Sequence, residues 1–126
     1  MKIMITGGMG FIGSHLCDCL INVHDIIVVS KSQSKKDNLT QVLSKIKIEY
    51  LDITDFSKLE KIICKHNPEV IIHLAGQTSH SQSFENPIYD IDINAKSTLY
   101  ILETIRKHNL QCKFVLGSTF IVIGKP

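Results

Sequence analysis

The sequence contains no tryptophan, three prolines and few aromatic residues, which make up 6% of its 126 residues. Neither charge sign dominates: the formal net charge is +2 and the lysines are scattered, so the basic patch typical of nucleic-acid-binding proteins is missing. No apolar run approaches the roughly 20 residues of a membrane-spanning helix. Residues 1–6 lack the long apolar core of a signal peptide. These absences favour one globular domain without nucleic-acid or membrane partners.

The cysteines show none of the spacings typical of zinc sites or disulfide frameworks; they are Cys17, Cys19, Cys64 and Cys112. We expect them to be reduced and mostly buried, where they act as small hydrophobic residues. Reduced cysteines and the absence of secretory features indicate a cytoplasmic protein. The sequence predicts no metal site.

Short apolar runs alternate with helical patterns along the chain. Strands are predicted at residues 2–6, 25–30, 47–51, 70–74 and 114–117, because each is a short apolar or β-branched run. Apolar residues at helical spacing predict helices at residues 11–22, 38–45, from 55, and 87–107. On the first helix, the expected apolar side consists of Ile12, Leu16, Cys19 and Leu20. This alternation predicts a doubly wound α/β fold with about five parallel strands and helices on both faces.

The segment "MITGGMGFIGSHL" places Gly7, Gly10 and Gly13 at GxxGxxG spacing between a predicted strand and a predicted helix. Gly7 and the neighbouring Gly8 permit a tight turn in which φ can be positive. Gly10 lets a diphosphate approach the backbone, and Gly13 lets the helix pack closely on the sheet. Because helix N-termini attract anions, the loop predicts dinucleotide binding. A glycine-rich turn without a ligand is the alternative.

The stretch "TGGMGFIG" resembles the cofactor loop of the extended short-chain dehydrogenase/reductase family, the nucleotide-sugar epimerases and dehydratases. Three further stretches agree with that family in order and spacing: "LDITD" (51–55), "HLAGQTSH" (73–80) and "NPIYDIDINAKSTLYILE" (86–103). The resemblance implies that residues 1–126 form a Rossmann-type NAD(P)-binding domain, truncated relative to the family and without its substrate domain. The implied activity of the full-length parent is hydride transfer at a carbon of a nucleoside-diphosphate sugar.

The same resemblance assigns residues to the cofactor. The loop around the diphosphate corresponds to Gly7, Gly10, Phe11, Ile12 and Gly13. The adenine-side pair corresponds to Asp52 and Ile53, with a helix-capping role for Asp52 as the alternative. The segment that passes the ribose and the diphosphate corresponds to Leu74, Ala75 and Gly76, with strand packing as the alternative. Asn94 either braces the backbone of the active site or is a satisfied buried amide.

The histidines of the fourth-strand segment receive weaker assignments. His73 is expected to be a packed core histidine rather than a catalyst. His80 and Ser81 lie in a predicted polar loop, where a contact with substrate is one interpretation.

The second strand departs from the family pattern. Ser30 stands where an acidic residue usually binds the ribose 2′-hydroxyl group, and Lys31 follows it. Without that carboxylate, Ser30 and Lys31, helped by Lys35 or Lys36, could hold a 2′-phosphate. The cofactor is therefore NAD or NADP, with a slight preference for NADP. The alternative is a solvated basic loop without selectivity.

The expected catalytic residues are Ser118 and Thr119, which match the family's hydroxyl pair that polarises the sugar oxygen. Ile123 stands where the family has an aromatic residue. The family also needs a Tyr-x-x-x-Lys pair, in which the lysine lowers the pKa of the tyrosine that accepts the sugar proton. None of the three tyrosines of this chain is followed by such a lysine.

Three functions remain open at this point. The first is the cofactor-binding portion of a nucleotide-sugar epimerase or dehydratase, inactive by itself. The second is a stand-alone dinucleotide-binding module that senses cofactor or completes a partner chain, and the third is an inactive remnant. The unpaired edge of the fifth strand predicts homodimerisation or poor solubility.

Overall fold

The computed structural model describes residues 1–119, 122 and 124, and it contains one five-stranded parallel sheet. The strands are β1 (Lys2–Thr6), β2 (Asp25–Ser30), β3 (Lys47–Tyr50), β4 (Val70–His73) and β5 (Lys113–Leu116). Their order across the sheet is β3-β2-β1-β4-β5. Helices cover both faces, each over its own apolar cluster. The predicted doubly wound α/β fold is confirmed.

The helices are α1 (Phe11–Leu20), α2 (Phe56–His66), α3 (His80–Glu85), α4 (Pro87–Ile91) and α5 (Ser97–Lys107). A π-helical turn, Asp92–Lys96, joins α4 to α5. The predicted single helix over residues 87–107 is therefore interrupted by a wider turn. α3 was not predicted, because none of its residues is buried and its sequence carries no apolar period.

The helix predicted at residues 38–45 is wrong. Only a 3₁₀ turn, Lys36–Leu39, forms there, and the chain continues in turns. Leu39 and Val42 are buried as expected. A short turn is enough to place these two side chains in the core. Thr40 donates its hydroxyl hydrogen to the Asp37 carbonyl at 2.6 Å, a local bond that competes with helix continuation.

The buried side of α1 also differs from the prediction. Ile12 and Cys19 are exposed, and the buried residues are Gly13, Ser14 and Cys17. α1 lies so close to the turn after β1 that small residues fill its inner face. Among the cysteines only Cys17 is buried, so the expectation of mostly buried cysteines is wrong. Burial, with a smaller contribution from Asp18, raises the pKa of the Cys17 thiol to about 11.

Among residues 1–119, 122 and 124, no helix has the length and hydropathy of a membrane span. Nor do three or more histidine, cysteine, aspartate or glutamate side chains gather there in a group that could hold a metal ion.

Candidate functional site

A crevice opens where the carboxyl ends of β1 and β4 lie side by side. The chain leaves β1 toward β2 on one side, and it leaves β4 toward β5 on the other. In doubly wound sheets such a switch point is the usual place of ligand binding. The segment 74–76 runs through this crevice and separates two clefts, of about 290 Å³ and about 480 Å³. We call them the first cleft and the second cleft.

The first cleft gathers most of the residues assigned to the cofactor. Its lining includes Gly7 and Gly10 from the glycine loop and Asp52 and Ile53 from the end of β3. It also includes the segment 74–76 and the loop residues Ser30 and Lys31. Residues that are 20 to 70 positions apart in sequence thus meet in one cavity.

Gly7 and Gly13 are required by geometry. Gly7 has a φ of 69°, and a Cβ atom there would lie 2.8 Å from the Ala75 nitrogen. A Cβ atom on Gly13 would lie 2.5 Å from the Gly7 carbonyl oxygen. Gly13 therefore lets α1 pack on the glycine turn, not directly on the sheet as predicted. Gly8 has no positive φ, but it faces Val28, whose methyl carbons would lie 2.9 Å from an added Cβ atom.

The N-terminus of α1 opens toward the first cleft without a side-chain cap. Its N-cap residue is Gly10, and its first turn carries no acidic residue. Backbone N–H groups at such a helix end suit the oxygens of a diphosphate, so the residues present fit a dinucleotide. The side chains of Phe11 and Ile12 are 79% and 63% exposed and lie outside the lining of the first cleft. A cofactor role for these two residues stays a prediction.

Asp52, Lys31 and Tyr89 form a cluster at the first cleft. The Lys31 ammonium lies 2.8 Å from Asp52 Oδ2 and donates a hydrogen bond of 3.0 Å to the Tyr89 hydroxyl. The hydrogen bond to Asp52, followed by that to Tyr89, raises the pKa of Lys31 above its ordinary value. Lys31 is thus already engaged by a carboxylate. Sequence reasoning missed Tyr89, which α4 brings to the cluster.

Asp52 is not a helix cap. Its Oδ1 atom accepts hydrogen bonds from the backbone N–H and the hydroxyl of Thr54, at 3.1 and 2.8 Å. The cap of α2 is Asp55, which accepts from the Lys58 N–H. Partial burial raises the pKa of Asp52, but the hydrogen bonds from Lys31 and Thr54 outweigh it and hold the pKa below its ordinary value.

The loop after β2 presents hydroxyl groups and one further cation to the first cleft. Ser32, Ser34 and Lys35 line it together with Ser30. The Ser30 hydroxyl donates to the Ser32 carbonyl at 3.1 Å. Lys36, the other candidate for a phosphate contact, does not line this cleft.

The second cleft gathers Ser118, Thr119 and Asn94. Asn94 Oδ1 accepts from the Gln77 N–H at 2.9 Å, and Asn94 Nδ2 donates to the Gln77 carbonyl at 3.1 Å. The side chain thus braces the backbone after the segment 74–76. Asn94 is exposed, so the alternative of a buried amide is wrong. Ile123 lies outside the described residues.

Asp90 organises the polar wall of the second cleft, and sequence reasoning missed it. Its Oδ1 atom accepts from the Ser83 hydroxyl at 2.7 Å, from Asn94 at 3.2 Å and from Gln77 at 3.3 Å. The spacing of Asp90 and Asn94, one helical turn apart, was the available signal. His80 also lines this cleft, whereas Ser81 is exposed and lies outside the lining.

His73 is a core histidine, as expected, with 2% of its surface exposed. Its ring nitrogens lie 2.6 Å from Thr6 Oγ1 and 3.0 Å from Ser97 Oγ. Burial lowers its pKa to about 4, because desolvation penalises the charged imidazolium.

A family model described as GDP-mannose 4,6 dehydratase matches residues 4–126. CDP-paratose 2-epimerase of Salmonella typhi is 36% identical over 129 aligned positions, covering 98% of this chain and 38% of that protein. A putative UDP-glucose 4-epimerase of Methanocaldococcus jannaschii is 40% identical, covering 98% of this chain and 40% of that protein.

Solved structures of UDP-glucose 4-epimerases have a similar fold. UDP-glucose 4-epimerase of Thermotoga maritima, determined with UDP-glucose, has a TM-score of 0.82 at 38% identity, covering 94% of this chain and 38% of that one. The enzyme of Bifidobacterium longum, in complex with NAD⁺ and UDP, has a TM-score of 0.84 at 30% identity, covering 100% and 39%.

The chain spans about 40% or less of the length of these relatives. The family match nevertheless covers residues 4–126, which are nearly all of this chain and include the glycine loop. The relatives named above are nucleotide-sugar epimerases, and two solved structures of UDP-glucose 4-epimerases are complexes with NAD or NAD⁺. The resemblance to the extended short-chain dehydrogenases/reductases is thereby confirmed, and this chain belongs to the GDP-mannose 4,6 dehydratase family.

Proposed function

We propose that the chain binds NAD or NADP across both clefts, as the cofactor-binding portion of a nucleotide-sugar epimerase or dehydratase. The observation that carries the proposal is the uncapped start of α1, which opens through Gly10 into the first cleft at the switch point of the sheet. The backbone N–H groups at this helix end would hold the diphosphate, and Asp52 and Ile53 would hold the adenosine. Residues of the second cleft, on the side of Ser118 and Thr119, would hold the nicotinamide.

The bound cofactor supplies a hydride acceptor for a sugar carbon. Ser118 or Thr119 donates a hydrogen bond to the sugar oxygen at that carbon. Asn94 keeps the backbone of Gln77 in place. None of the tyrosines of these 126 residues has a lysine four positions later. We therefore expect the chain alone to be inactive. General acid–base catalysis contributes about 10²–10⁴-fold to such reactions.

Isothermal titration calorimetry of the chain with NAD tests binding. We expect a micromolar Kd for the wild type. Gly10→Ala should weaken it about tenfold, because a methyl group then stands where the diphosphate approaches. Asp18→Ala is the control, since Asp18 is an exposed residue of α1 outside the cleft, and it should change Kd less than about twofold.

The outcomes separate the three functions. A wild-type chain that is folded by circular dichroism yet binds no dinucleotide supports the inactive remnant. Binding without turnover supports the cofactor-binding portion or a stand-alone module. Reduction of NAD by the purified chain with UDP-glucose or CDP-linked sugars would contradict the inactivity of the chain alone.

The choice between NAD and NADP turns on Lys35. Lys31 forms an ion pair with Asp52 and a hydrogen bond with Tyr89. Lys35 is therefore the lysine of this loop that would bind a 2′-phosphate. Lys35→Gln should weaken NADP binding about tenfold, since a charge-assisted hydrogen bond is lost, and leave NAD binding unchanged. Lys36→Gln is the matched control, because Lys36 is the next residue and lies outside the cleft. Equal effects of Lys35→Gln on NAD binding and NADP binding would show that the loop does not distinguish the two cofactors.

Homodimerisation through the open edge of β5 predicts a concentration-dependent sedimentation coefficient. A cytoplasmic location, expected from the cysteines, is tested by fractionation of cells that express the tagged protein.

A further inference from the structure

Three buried polar side chains meet beneath the segment that separates the two clefts. Thr6 ends β1, His73 ends β4 and Ser97 begins α5, and their exposed fractions are 0%, 2% and 0%. Buried polar groups are costly unless they are hydrogen-bonded. The mechanism proposed above uses none of these three side chains.

The hydrogen bonds of this group determine where its protons lie. The Ser97 hydroxyl donates its single hydrogen to the Ile93 carbonyl at 2.6 Å, so toward His73 it acts as acceptor. His73 Nε2, 3.0 Å away, must therefore carry the hydrogen. His73 Nδ1 is then unprotonated and accepts from the Thr6 hydroxyl at 2.6 Å.

The two ends of this chain of hydrogen bonds reach both clefts. At one end, the Ala75 N–H donates to Thr6 Oγ1 at 3.2 Å, and Ala75 lines both clefts. At the other end, the Ile93 carbonyl lies in the π-helical turn. Ile93 lines the first cleft, and the next residue, Asn94, lines the second.

We propose that His73 is a positioning residue: as the neutral Nε2–H tautomer it ties the segment 74–76 to the π-helical turn and so fixes both walls of the dinucleotide site. π-Helical turns are frequent at functional sites because one extra residue redirects the side chains that follow. Here the turn presents Ile93 and Asn94 to different clefts. The low pKa of His73, about 4, agrees with an imidazole that stays neutral in this role. The effect on cofactor affinity rests on the proposed function, whereas the effect on backbone order does not.

Ser97→Ala and Thr104→Val form a matched pair for the test. Both residues are buried on α5, and each hydroxyl donates to the carbonyl four residues earlier, at 2.6 Å and 2.7 Å. Only Ser97 also contacts His73. Each variant of the 126-residue chain thus loses one buried hydroxyl group from the same helix.

We expect Ser97→Ala to weaken NAD binding about fivefold in calorimetry, the equivalent of one hydrogen bond. Thr104→Val should change Kd less than about twofold. We expect both variants to lower the melting temperature. Amide hydrogen exchange at Ala75 and Gln77 should accelerate in Ser97→Ala only. In the wild type, ¹⁵N shifts of His73 should show a protonated Nε2 and an unprotonated Nδ1.

Equal Kd values and equal exchange rates in the two variants would overturn the proposal, as would a protonated Nδ1. If the wild type binds no dinucleotide, the proposed function fails, and the exchange rates and the ¹⁵N shifts still decide the role of His73. Faster exchange at Ala75 and Gln77 in Ser97→Ala would then support the positioning role without a cofactor.

Discussion

The two clefts share the wall 74–76, but different forces hold their other walls. The first cleft lies at the ends of buried strands, and residues 26–29 of β2 are each 2% exposed or less. The second cleft lies beside β5, where Val115 and Leu116 are 50% and 48% exposed. Its polar wall is held by hydrogen bonds to Asp90 and Asn94. Buried strands therefore support the first cleft, together with the ion pair of Lys31 and Asp52, whereas local hydrogen bonds shape the second.

This difference has consequences for stability and for opening motions. A strand covered on both faces and both edges can be disrupted only by cooperative unfolding. A loop held by partly exposed hydrogen bonds can open locally at a much lower free energy. We thus expect mutations on the first side to lower global stability and mutations on the second side to change local order.

Gly13→Ala should have the largest effect. The added Cβ atom would lie 2.5 Å from the Gly7 carbonyl oxygen and 2.6 Å from Gly8 Cα, and backbone atoms cannot move aside cheaply. We expect a loss of about 3 kcal/mol in the free energy of unfolding, measured by urea denaturation. Gly10→Ala is the control, because its Cβ would meet only the Gly7 oxygen, at 3.1 Å. Equal losses in both variants would contradict the close packing of α1 on the turn.

Val28→Ala and Val115→Ala compare the two sides of the sheet directly with one chemical change. Val28 is fully buried and Val115 is half exposed. Loss of two buried methyl groups and the resulting cavity should cost about 2.5 kcal/mol at Val28 and under about 1 kcal/mol at Val115. Urea denaturation measures both values. A cost at Val115 as large as at Val28 would mean that β5 is covered in solution, for example by a second copy of the chain.

Asp52→Asn tests the polar cluster of the first cleft. The pKa of Asp52 is lowered in the folded state, so its contribution is present above the unfolded pKa, about 4, and is lost as the pH falls through the folded pKa. We expect the wild type to be more stable by about 1 kcal/mol at pH 7. The difference should vanish as the pH falls through the lowered pKa of the folded state. Lys31→Met should remove most of the same pH dependence; if it does not, Thr54 rather than Lys31 stabilises the carboxylate.

Asp90→Asn should have the smallest effect on stability. The neutral amide oxygen can still accept from Ser83, Asn94 or Gln77 but binds less strongly, and all four residues are only partly buried or exposed. We expect a change within about 0.5 kcal/mol in global stability. Amide exchange at Gln77 should nevertheless accelerate. An unchanged exchange rate would show that the loop does not depend on the carboxylate.

Sequence patterns predicted most of the fold and part of the site. The apolar runs located all five strands, since short buried strands between helices leave continuous β-branched segments. The glycine spacing predicted the turn at Gly7 correctly, because a positive φ at the end of a strand demands glycine. Polar contacts were harder to predict. Tyr89 carries no periodic signal, and its partner Lys31 lies 58 residues away in sequence. Asp90 had only its spacing to Asn94 as a signal.

The sequence by itself determined the positions of the strands along the chain, the glycine turn and the family of the protein, because these depend on local periodicity and on short motifs. Only the tertiary structure decided which small residues of α1 face the turn, that Lys31 is paired with Asp52, and that His73 links Thr6 to Ser97. Such contacts join residues from different strands and helices. Their distances depend on how the parallel strands align and on where the π-helical turn shifts the residues that follow it, and neither is encoded within a short window of sequence.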